Sequence, residues 1–510
     1  MSFIVNMWHC LVGGGCKCMA TSYGTVLKTT FLFGFVQVFR AVISIIKSKI
    51  AAILIGPEGL GLIGIYNSTI DLIRTIAGLG LNQSAVRDVA EAYGSHDDSR
   101  ISRIVRITSK AILITGLIGC IATLFLSNRL SKWTLGDETY TISYCILSFA
   151  IAFYIVNEGK QALLKGTRQL RSIAISSIIG SSVSLITASV LYYFFRTDGI
   201  VPELLTAAIV GLLTTEYFVR KIPVNAVDLT PKEIIIESKP MLKMGLALMY
   251  VTLLQVAATF VINAFVRSNG GLTEVGYFNV GATVLGAYFG LVVSAISTDY
   301  YPRISAVNMY NDKIQDELNH QSIISIVLVG PMFVIFMSFL DFWIKILYST
   351  EFLPAIDYIK YAIYWFLITV CSNQVDMILV AKFKTKVMTI VSTIMRVSQL
   401  LLAIPLYKYW GLEGLGLTFL ILGIMHVLVM STIVYKLYHI RFSNDFIRIS
   451  GVIFIMAFLS SLINEMPNGM VKLILSISNS LSAIGFSYFI MRNKIKIDII
   501  TYIIKKNYKS

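Results

Sequence analysis

Charged side chains that interrupt long apolar runs are the residues of this sequence that could do chemistry. Arg40 and Lys47 lie two helical turns apart, which places them on nearly the same face of a helix. Asp71 and Arg74 lie one turn apart in the next run, and Arg396 interrupts a later one. An Arg guanidinium binds carboxylate or phosphate oxygens in pairs, whereas a Lys ammonium acts as a point charge. Because charges at membrane depth are costly, these residues are candidates for a binding site.

Acidic residues in the same kind of run leave two roles open. Asp71, Glu158 and Asp376 could pair with the cations and hold helices together, which is the more common role. A buried carboxylate without a partner could instead take up a proton and couple the protein to a proton or sodium gradient. His426 is expected to be a hydrogen-bonded helix contact rather than a proton relay. Lys49 is expected to extend outward to the membrane interface.

The runs that carry these charges have the length of membrane helices. The chain has 510 residues, of which 56% are hydrophobic and 14% charged, whereas soluble domains carry about 25% charged residues. The apolar runs are continuous and lack two-residue alternation, which excludes a membrane β-barrel. Runs of about 20 residues recur about fourteen times, so we predict an all-α polytopic membrane protein.

The distribution of basic residues predicts the orientation of the chain. Most of the 43 Lys and Arg residues fall on the side of the predicted spans that holds the N-terminus. Cytoplasmic segments carry this excess, so both termini are expected in the cytoplasm. The net charge of +15 follows from the same bias and does not indicate a nucleic-acid partner.

The two halves of the chain resemble each other in sequence order. Gly61 of EGLGLI aligns with Gly276, and Arg87 aligns with Arg303, at a nearly constant offset of about 215 residues. A shift of six spans preserves orientation, so the repeats are parallel and related by an axis along the membrane normal. Two six-helix bundles that face each other would enclose a central cavity.

The repeat and the charge pattern divide the chain into six parts. The His and Cys residues of the leader are poorly spaced for a structural zinc site, so no metal and no cofactor is predicted. The parts are a leader (1–24) that is expected to be disordered, an N-terminal six-helix bundle (25–217), a cytoplasmic linker (218–240), a C-terminal six-helix bundle (241–437), an extra transmembrane hairpin (438–491) and a basic cytoplasmic tail (492–510).

The segment GPEGLGLIGIYN (56–67) contains glycines that could suggest a phosphate-binding loop. Such a loop needs a preceding strand and, for nucleotides, a Gly-Lys-Ser/Thr ending, and both are missing here. Pro57 suits the first turn of a helix and Glu58 its positive end. Gly61 and Gly64 form a small-residue face for close packing. We therefore predict the tip of a helical hairpin.

Four segments of this sequence carry a family resemblance. GPEGLGLIGIYN (56–67), LLKGTRQL (163–170), YYPRIS (300–305) and GLEGLG (411–416) resemble Wzx-type O-antigen or lipid-linked oligosaccharide flippases. These belong to the polysaccharide transporter family of the multidrug/oligosaccharidyl-lipid/polysaccharide exporter superfamily. The resemblance covers residues 25–437 and leaves the final hairpin outside the twelve-span core. It implies a MATE-like, V-shaped fold of two parallel six-helix bundles, with that hairpin added.

The resemblance also implies a function in the bacterial cytoplasmic (inner) membrane. Such a protein moves an undecaprenyl-pyrophosphate-linked oligosaccharide from the cytoplasmic to the periplasmic leaflet by alternating access. The pyrophosphate and glycan would then cross through a cationic cavity lined by Arg40, Lys47, Arg74 and Arg396. The implied partners are this lipid-linked substrate, membrane lipids and the O-antigen assembly machinery, namely a polymerase and a chain-length regulator.

Two other functions remain open on the sequence. A MATE-like cation or drug antiporter would need an acidic rather than a cationic cavity. A membrane O-antigen polymerase or ligase would need a large outward loop, and the longest one here, residues 340–354, is short. We therefore expect a transporter and not an enzyme.

Overall fold

The computed structural model describes residues 22–95, 98–222, 230–467 and 469–495. Most of the predicted leader, part of the linker and most of the basic tail lie outside these residues. The described chain is helical, and no strand occurs in it. Its α-helices are α1 (Ser22–Gly78), α2 (Leu81–Gly94), α3 (Asp98–Leu135), α4 (Thr141–Gly166), α5 (Leu170–Phe195), α6 (Ile200–Val219), α7 (Pro231–Thr283), α8 (Gly290–Ala306), α9 (Asn311–Ser338), α10 (Leu340–Leu347), α11 (Ala355–Ala381), α12 (Thr385–Tyr438), α13 (Asn444–Glu465) and α14 (Met470–Ile490).

The predicted all-α class is confirmed. Over the described ranges, 9 helices are long and apolar enough to cross a membrane. Several of the longest helices contain two predicted spans each, so the count of fourteen spans and the bundle arrangement stay predictions. The predicted division into parts also stays a prediction, although α7 begins at Pro231, inside the expected linker.

Glycine breaks divide the three longest helices. Gly56 in α1 has φ 64°, Gly271 in α7 has φ 81° and Gly411 in α12 has φ 55°. Glycine adopts such left-handed angles without the Cβ clash that other residues meet. Pro57 begins the second segment of α1, at the place where the sequence predicts the tip of a hairpin.

The two halves meet where these second segments cross. A Cβ atom on Gly61 would lie 1.9 Å from the Leu272 carbonyl oxygen, and one on Gly276 would lie 2.0 Å from the Pro57 carbonyl oxygen. The contacts are reciprocal: each glycine touches the start of the opposite segment. Small residues allow helix backbones to approach closely in membranes. This symmetry supports the predicted internal repeat.

The packed core joins both halves and the final hairpin. One cluster of buried apolar side chains includes Ile65 of α1, Val275 of α7, Phe333 of α9 and Ala483 of α14. The contact between α1 and α7 is the most extensive one between the halves. The cavities described below lie beside this contact.

The C-terminal hairpin of α13 and α14 docks on α9 through polar groups. The hydroxyls of Ser338 and Ser460 lie 2.9 Å apart, and Asn479 Nδ2 donates to Ser460 Oγ at 2.8 Å. A Cβ atom on Gly330 would lie 2.8 Å from the Ile453 side chain, so the backbone of α9 is close to α13. Interhelical hydrogen bonds of this kind hold membrane helices together.

Replacing Ser460 by Ala is expected to loosen this docking. The change removes hydrogen bonds to two other helices and should destabilise the packed hairpin by about 1 kcal/mol. Trypsin cleavage at the exposed Arg441, before α13, should become faster and the thermal midpoint in detergent should fall. Ser450→Ala is the matched control, because among the described residues the Ser450 hydroxyl bonds only to the Ile447 carbonyl of its own helix. Equal cleavage rates in the two variants would contradict the docking role.

Candidate functional site

A cavity of about 400 Å³ lies between the N-terminal helices and α7. Its wall combines apolar side chains, such as Leu60 and Ile63, with hydroxyl, amide and phenol groups, one cation and one carboxylate. The polar residues that line it are Ser44, Lys47, Ser48, Asn67, Tyr154, Ser184, Tyr192, Glu203, Asn279, Thr283 and Tyr348. Such a wall can donate and accept hydrogen bonds around a polar head group.

An ion-pair network occupies one side of this cavity. Lys47 Nζ donates to Glu203 Oε1 at 2.7 Å and to Ser184 Oγ at 2.9 Å. The Ser184 hydroxyl also donates to Glu203 Oε1 at 2.9 Å, and the Tyr192 hydroxyl donates to Oε2 at 3.3 Å. The Glu203 side chain is 1% exposed, whereas that of Lys47 is 29% exposed. The network joins α1, α5 and α6.

Glu203 is not among the candidate residues predicted from the sequence. It follows Pro202 in the run IVPELLTAAIV, and an acidic residue there could have been singled out as a membrane charge. Its pairing with Lys47 depends on the packing of α5 against both α1 and α6, which the sequence does not reveal. Among the lining residues, the two charges therefore balance each other.

Arg40 extends the face of α1 that reaches this cavity. It lies on the same helical side as Ser44 and Lys47, both of which line the cavity. Its side chain is exposed, and no described residue forms an ion pair or hydrogen bond with it. Arg40 is therefore available to an anion that approaches along this face.

Arg74 lies in a separate cluster of paired charges. Its guanidinium contacts Asp71 Oδ1 at 3.1 Å and Glu158 Oε1 at 2.8 Å. Asn82 Nδ2 donates to Glu158 Oε2 at 3.0 Å. A second cavity of about 100 Å³, lined also by Met249 of α7, lies beside them. These contacts correspond to the alternative, left open by the sequence, in which acidic residues pair with cations and hold helices together.

Arg396 and Asp376 lie in the C-terminal half, on α12 and α11. Arg396 donates to Gln399 Oε1 at 2.9 Å and lines neither cavity. His426 Nε2 lies 3.7 Å from Asp376 Oδ2, which makes an ion pair when the imidazole is protonated. The other Asp376 oxygen, Oδ1, is buried without a hydrogen-bond partner in the described chain. The four predicted cations therefore occupy three places rather than one common wall, with Arg40 and Lys47 on the same face of α1.

Lys49, which is expected to extend outward to the membrane interface, contacts backbone carbonyls of the segment 340–354. Its ammonium donates to the Lys345 carbonyl at 2.9 Å and also contacts the Tyr348 carbonyl. These carbonyls stand at the C-terminal end of α10, where a cation compensates the negative end of the helix dipole. Lys49 therefore ties α1 to the C-terminal half.

The fold and the cavity define a multi-pass helical membrane protein with the architecture of known transporters. The lipid II flippase MurJ in an inward closed conformation superposes with a TM-score of 0.70 at 18% identity, over 92% of this chain and 100% of that one. An inward-facing multidrug resistance MATE family transporter of the MOP superfamily gives a TM-score of 0.61 at 16% identity, over 79% and 98% of the two chains. The predicted MATE-like fold is thereby confirmed.

The chain belongs to the polysaccharide biosynthesis protein family, whose model matches residues 26–308. It is 20% identical over 58% of its length to 71% of a Shigella flexneri protein named "Putative O-antigen transporter". It is 22% identical over 60% of its length to 74% of the lipid III flippase of Escherichia coli (strain K12). The resemblance stated from the sequence motifs is confirmed.

Proposed function

We propose that this protein is a flippase for an undecaprenyl-pyrophosphate-linked oligosaccharide, an O-antigen or related repeat unit. It would move this lipid-linked glycan from the cytoplasmic to the periplasmic leaflet of the bacterial inner membrane, with both of its termini in the cytoplasm. The observation that carries the proposal is a cavity of about 400 Å³, lined by both polar and apolar side chains, between the halves of a chain in this family. The names of two relatives, a lipid III flippase and an O-antigen transporter, support the substrate class.

The cavity wall suits a phosphorylated sugar head group. The Lys47 ammonium provides the charge for phosphate oxygens, and hydroxyl and amide groups such as Asn279 provide partners for sugar hydroxyls. Arg40 provides the uncompensated positive charge on the approach, because Lys47 and Glu203 balance each other. The polyprenyl tail stays in the bilayer, where it needs no polar partner.

The size of the cavity sets what this conformation can hold. A volume of about 400 Å³ falls within the range of about 300–1,000 Å³ for small-molecule sites. It accommodates the diphosphate and adjoining sugars rather than a long glycan. We therefore expect the halves to separate around the α1–α7 contact when a longer oligosaccharide crosses, which is the alternating access expected of the family.

Acidic residues outside the main cavity are the candidates for ion coupling. Asp376 is the strongest candidate for a proton or sodium ion, because one carboxylate oxygen is unpartnered and the other faces His426. Asp71 and Glu158 share Arg74, which offsets their charge and makes them weaker candidates. No catalytic role is proposed. The O-antigen polymerase and chain-length regulator are the proposed partners in the membrane.

The function is tested by deleting the gene in its host. Lipid-linked repeat units are then labelled on their sugars by a reagent that does not cross the inner membrane. We expect the labelled fraction to fall and unlabelled carrier to accumulate, with labelling restored by the intact gene. Unchanged labelling in the deletion strain would rule out the flippase assignment.

Arg40→Ala is expected to lower transport without destabilising the protein. No described residue forms an ion pair or hydrogen bond with Arg40, so its removal breaks no such bond among the described residues, while the approach to the cavity loses a positive charge. Transport should fall about tenfold, as for the loss of one charge-assisted hydrogen bond, and Arg40→Lys should recover part of it. Arg129→Ala on α3 is the control, since Arg129 is also exposed and lines neither cavity. Full transport by a normally inserted Arg40→Ala variant would remove Arg40 from the site.

A further inference from the structure

The carboxylate of Glu203 occupies an unusual place for a buried charge. It is 1% exposed, yet it belongs to the wall of the cavity and contacts the cation of that wall. Its two oxygens accept from three donors, namely Lys47 and Ser184 on Oε1 and Tyr192 on Oε2. The carboxylate therefore keeps two hydroxyl donors even when Lys47 moves away.

A purely structural role explains this arrangement poorly. Buried ion pairs often contribute little net stability, because desolvation of both charges offsets their attraction. Helices α1, α5 and α6 already pack through apolar residues such as Ala51, Ala188 and Leu204. The pair lies instead on the path proposed for the substrate, with the Lys47 side chain 29% exposed.

We propose that Glu203 is a built-in counter-anion of the substrate site. This role rests on the proposed function, because it concerns the transport of that substrate. In the empty protein, Glu203 Oε1 occupies the position on Lys47 that a substrate phosphate oxygen takes during transport. A diphosphate head group displaces it, and Ser184 and Tyr192 retain the displaced carboxylate.

This arrangement has two consequences for transport. Lys47 is available to the substrate only during the fraction of time in which the ion pair is open, so the apparent affinity is lowered by that fraction. Once the phosphate is bound, the nearby carboxylate repels it, because like charges at short distance disfavour each other. Glu203 thus weakens binding and speeds release.

The experiment measures binding and transport of the same variants. The purified protein in lipid nanodiscs is titrated with geranylgeranyl pyrophosphate, a diphosphate with a short isoprenoid chain, and with geranylgeraniol as the uncharged probe. Glu203→Gln should bind the diphosphate about tenfold more tightly, as expected for an ion pair that is open about one tenth of the time. Its transport in cells should be slower than that of the wild type. Glu203→Asp keeps the negative charge on a shorter side chain. Its affinity for the diphosphate should lie between those of the wild type and Glu203→Gln.

The control lies on the same helix. Glu216 of α6 is also paired, with Lys160 and Arg220, but it does not line the cavity. Glu216→Gln should leave the affinity for the diphosphate unchanged. Lys47→Met should abolish the preference for the diphosphate over the alcohol.

Two results would overturn the proposal, and they are distinguishable. If Glu203→Gln and Glu203→Asp bind the diphosphate as the wild type does while Lys47→Met loses it, Glu203 is not a counter-anion and the proposed function stands. If no variant, nor the wild type, prefers the diphosphate to the alcohol, the proposed substrate chemistry fails together with this inference.

Discussion

Gly61→Ala is expected to abolish transport and to destabilise the packed protein severely. The added Cβ would lie 1.9 Å from the Leu272 carbonyl oxygen, and backbone atoms cannot move aside as a flexible side chain can. The segments of α1 and α7 would have to separate along the most extensive contact between the halves. Overpacking typically costs about 1–3 kcal/mol, and a backbone clash places this variant at the upper end or beyond. The thermal midpoint in detergent and the labelling of lipid-linked sugars in cells report the two effects.

The reciprocal contact supplies a strict comparison. Gly276→Ala should lower the stability of the protein nearly as much as Gly61→Ala does, because its Cβ would lie 2.0 Å from the Pro57 carbonyl oxygen. The double variant should lose less stability than the two single variants lose together, since both changes push the same two backbones apart. Gly180→Ala is the control, because a Cβ there meets nothing within 4 Å and should leave the midpoint unchanged or slightly higher. A midpoint for Gly61→Ala equal to that of Gly180→Ala would contradict the close crossing.

Local sequence signals predicted the helices and the site of this crossing. Continuous apolar runs indicated membrane helices, and Gly56-Pro57 marked the break in α1 because positive φ and a missing amide proton are properties of single residues. The alignment of Gly61 with Gly276 was one of the matches that indicated the repeat. Backbone geometry that depends on one or two neighbouring residues can therefore be predicted from the sequence.

The partners of the charged residues were harder to predict from the sequence. The sequence named Lys47 and Arg74 as candidates, but the partner of Lys47 is Glu203, more than a hundred residues away on α6. Lys49 contacts carbonyls of the C-terminal half, and a backbone acceptor carries no side-chain signature in the sequence. These contacts depend on the rotation and depth of each helix in the bundle. A run of apolar residues fixes neither quantity.

Lys47→Met is expected to destabilise the protein and to stop transport. Methionine fills a similar volume but leaves the Glu203 carboxylate, 1% exposed, without its counter-charge. Removing one partner of a fully buried pair costs about 3–5 kcal/mol. Ser184 and Tyr192 still donate to the carboxylate here, so the cost should be about 1–2 kcal/mol, as for an ion pair that is open about one tenth of the time. The thermal midpoint in detergent should fall accordingly. Lys132→Met is the matched control: Lys132 pairs with Glu138, but their side chains are 56% and 58% exposed, and exposed pairs contribute about 0–1 kcal/mol.

The double variant Lys47→Met/Glu203→Gln separates the structural cost from the role in transport. With both charges removed, no unpaired ion remains in the wall, and an uncharged pair of similar volume often matches the stability of the ion pair it replaces. The thermal midpoint should therefore return most of the way to that of the wild type. Transport should stay lost, because the cavity no longer presents the Lys47 ammonium to the phosphate of the proposed substrate. If transport returned together with stability, Lys47 would serve to hold α1 against α6, and the cation that binds the head group would have to be sought at Arg40.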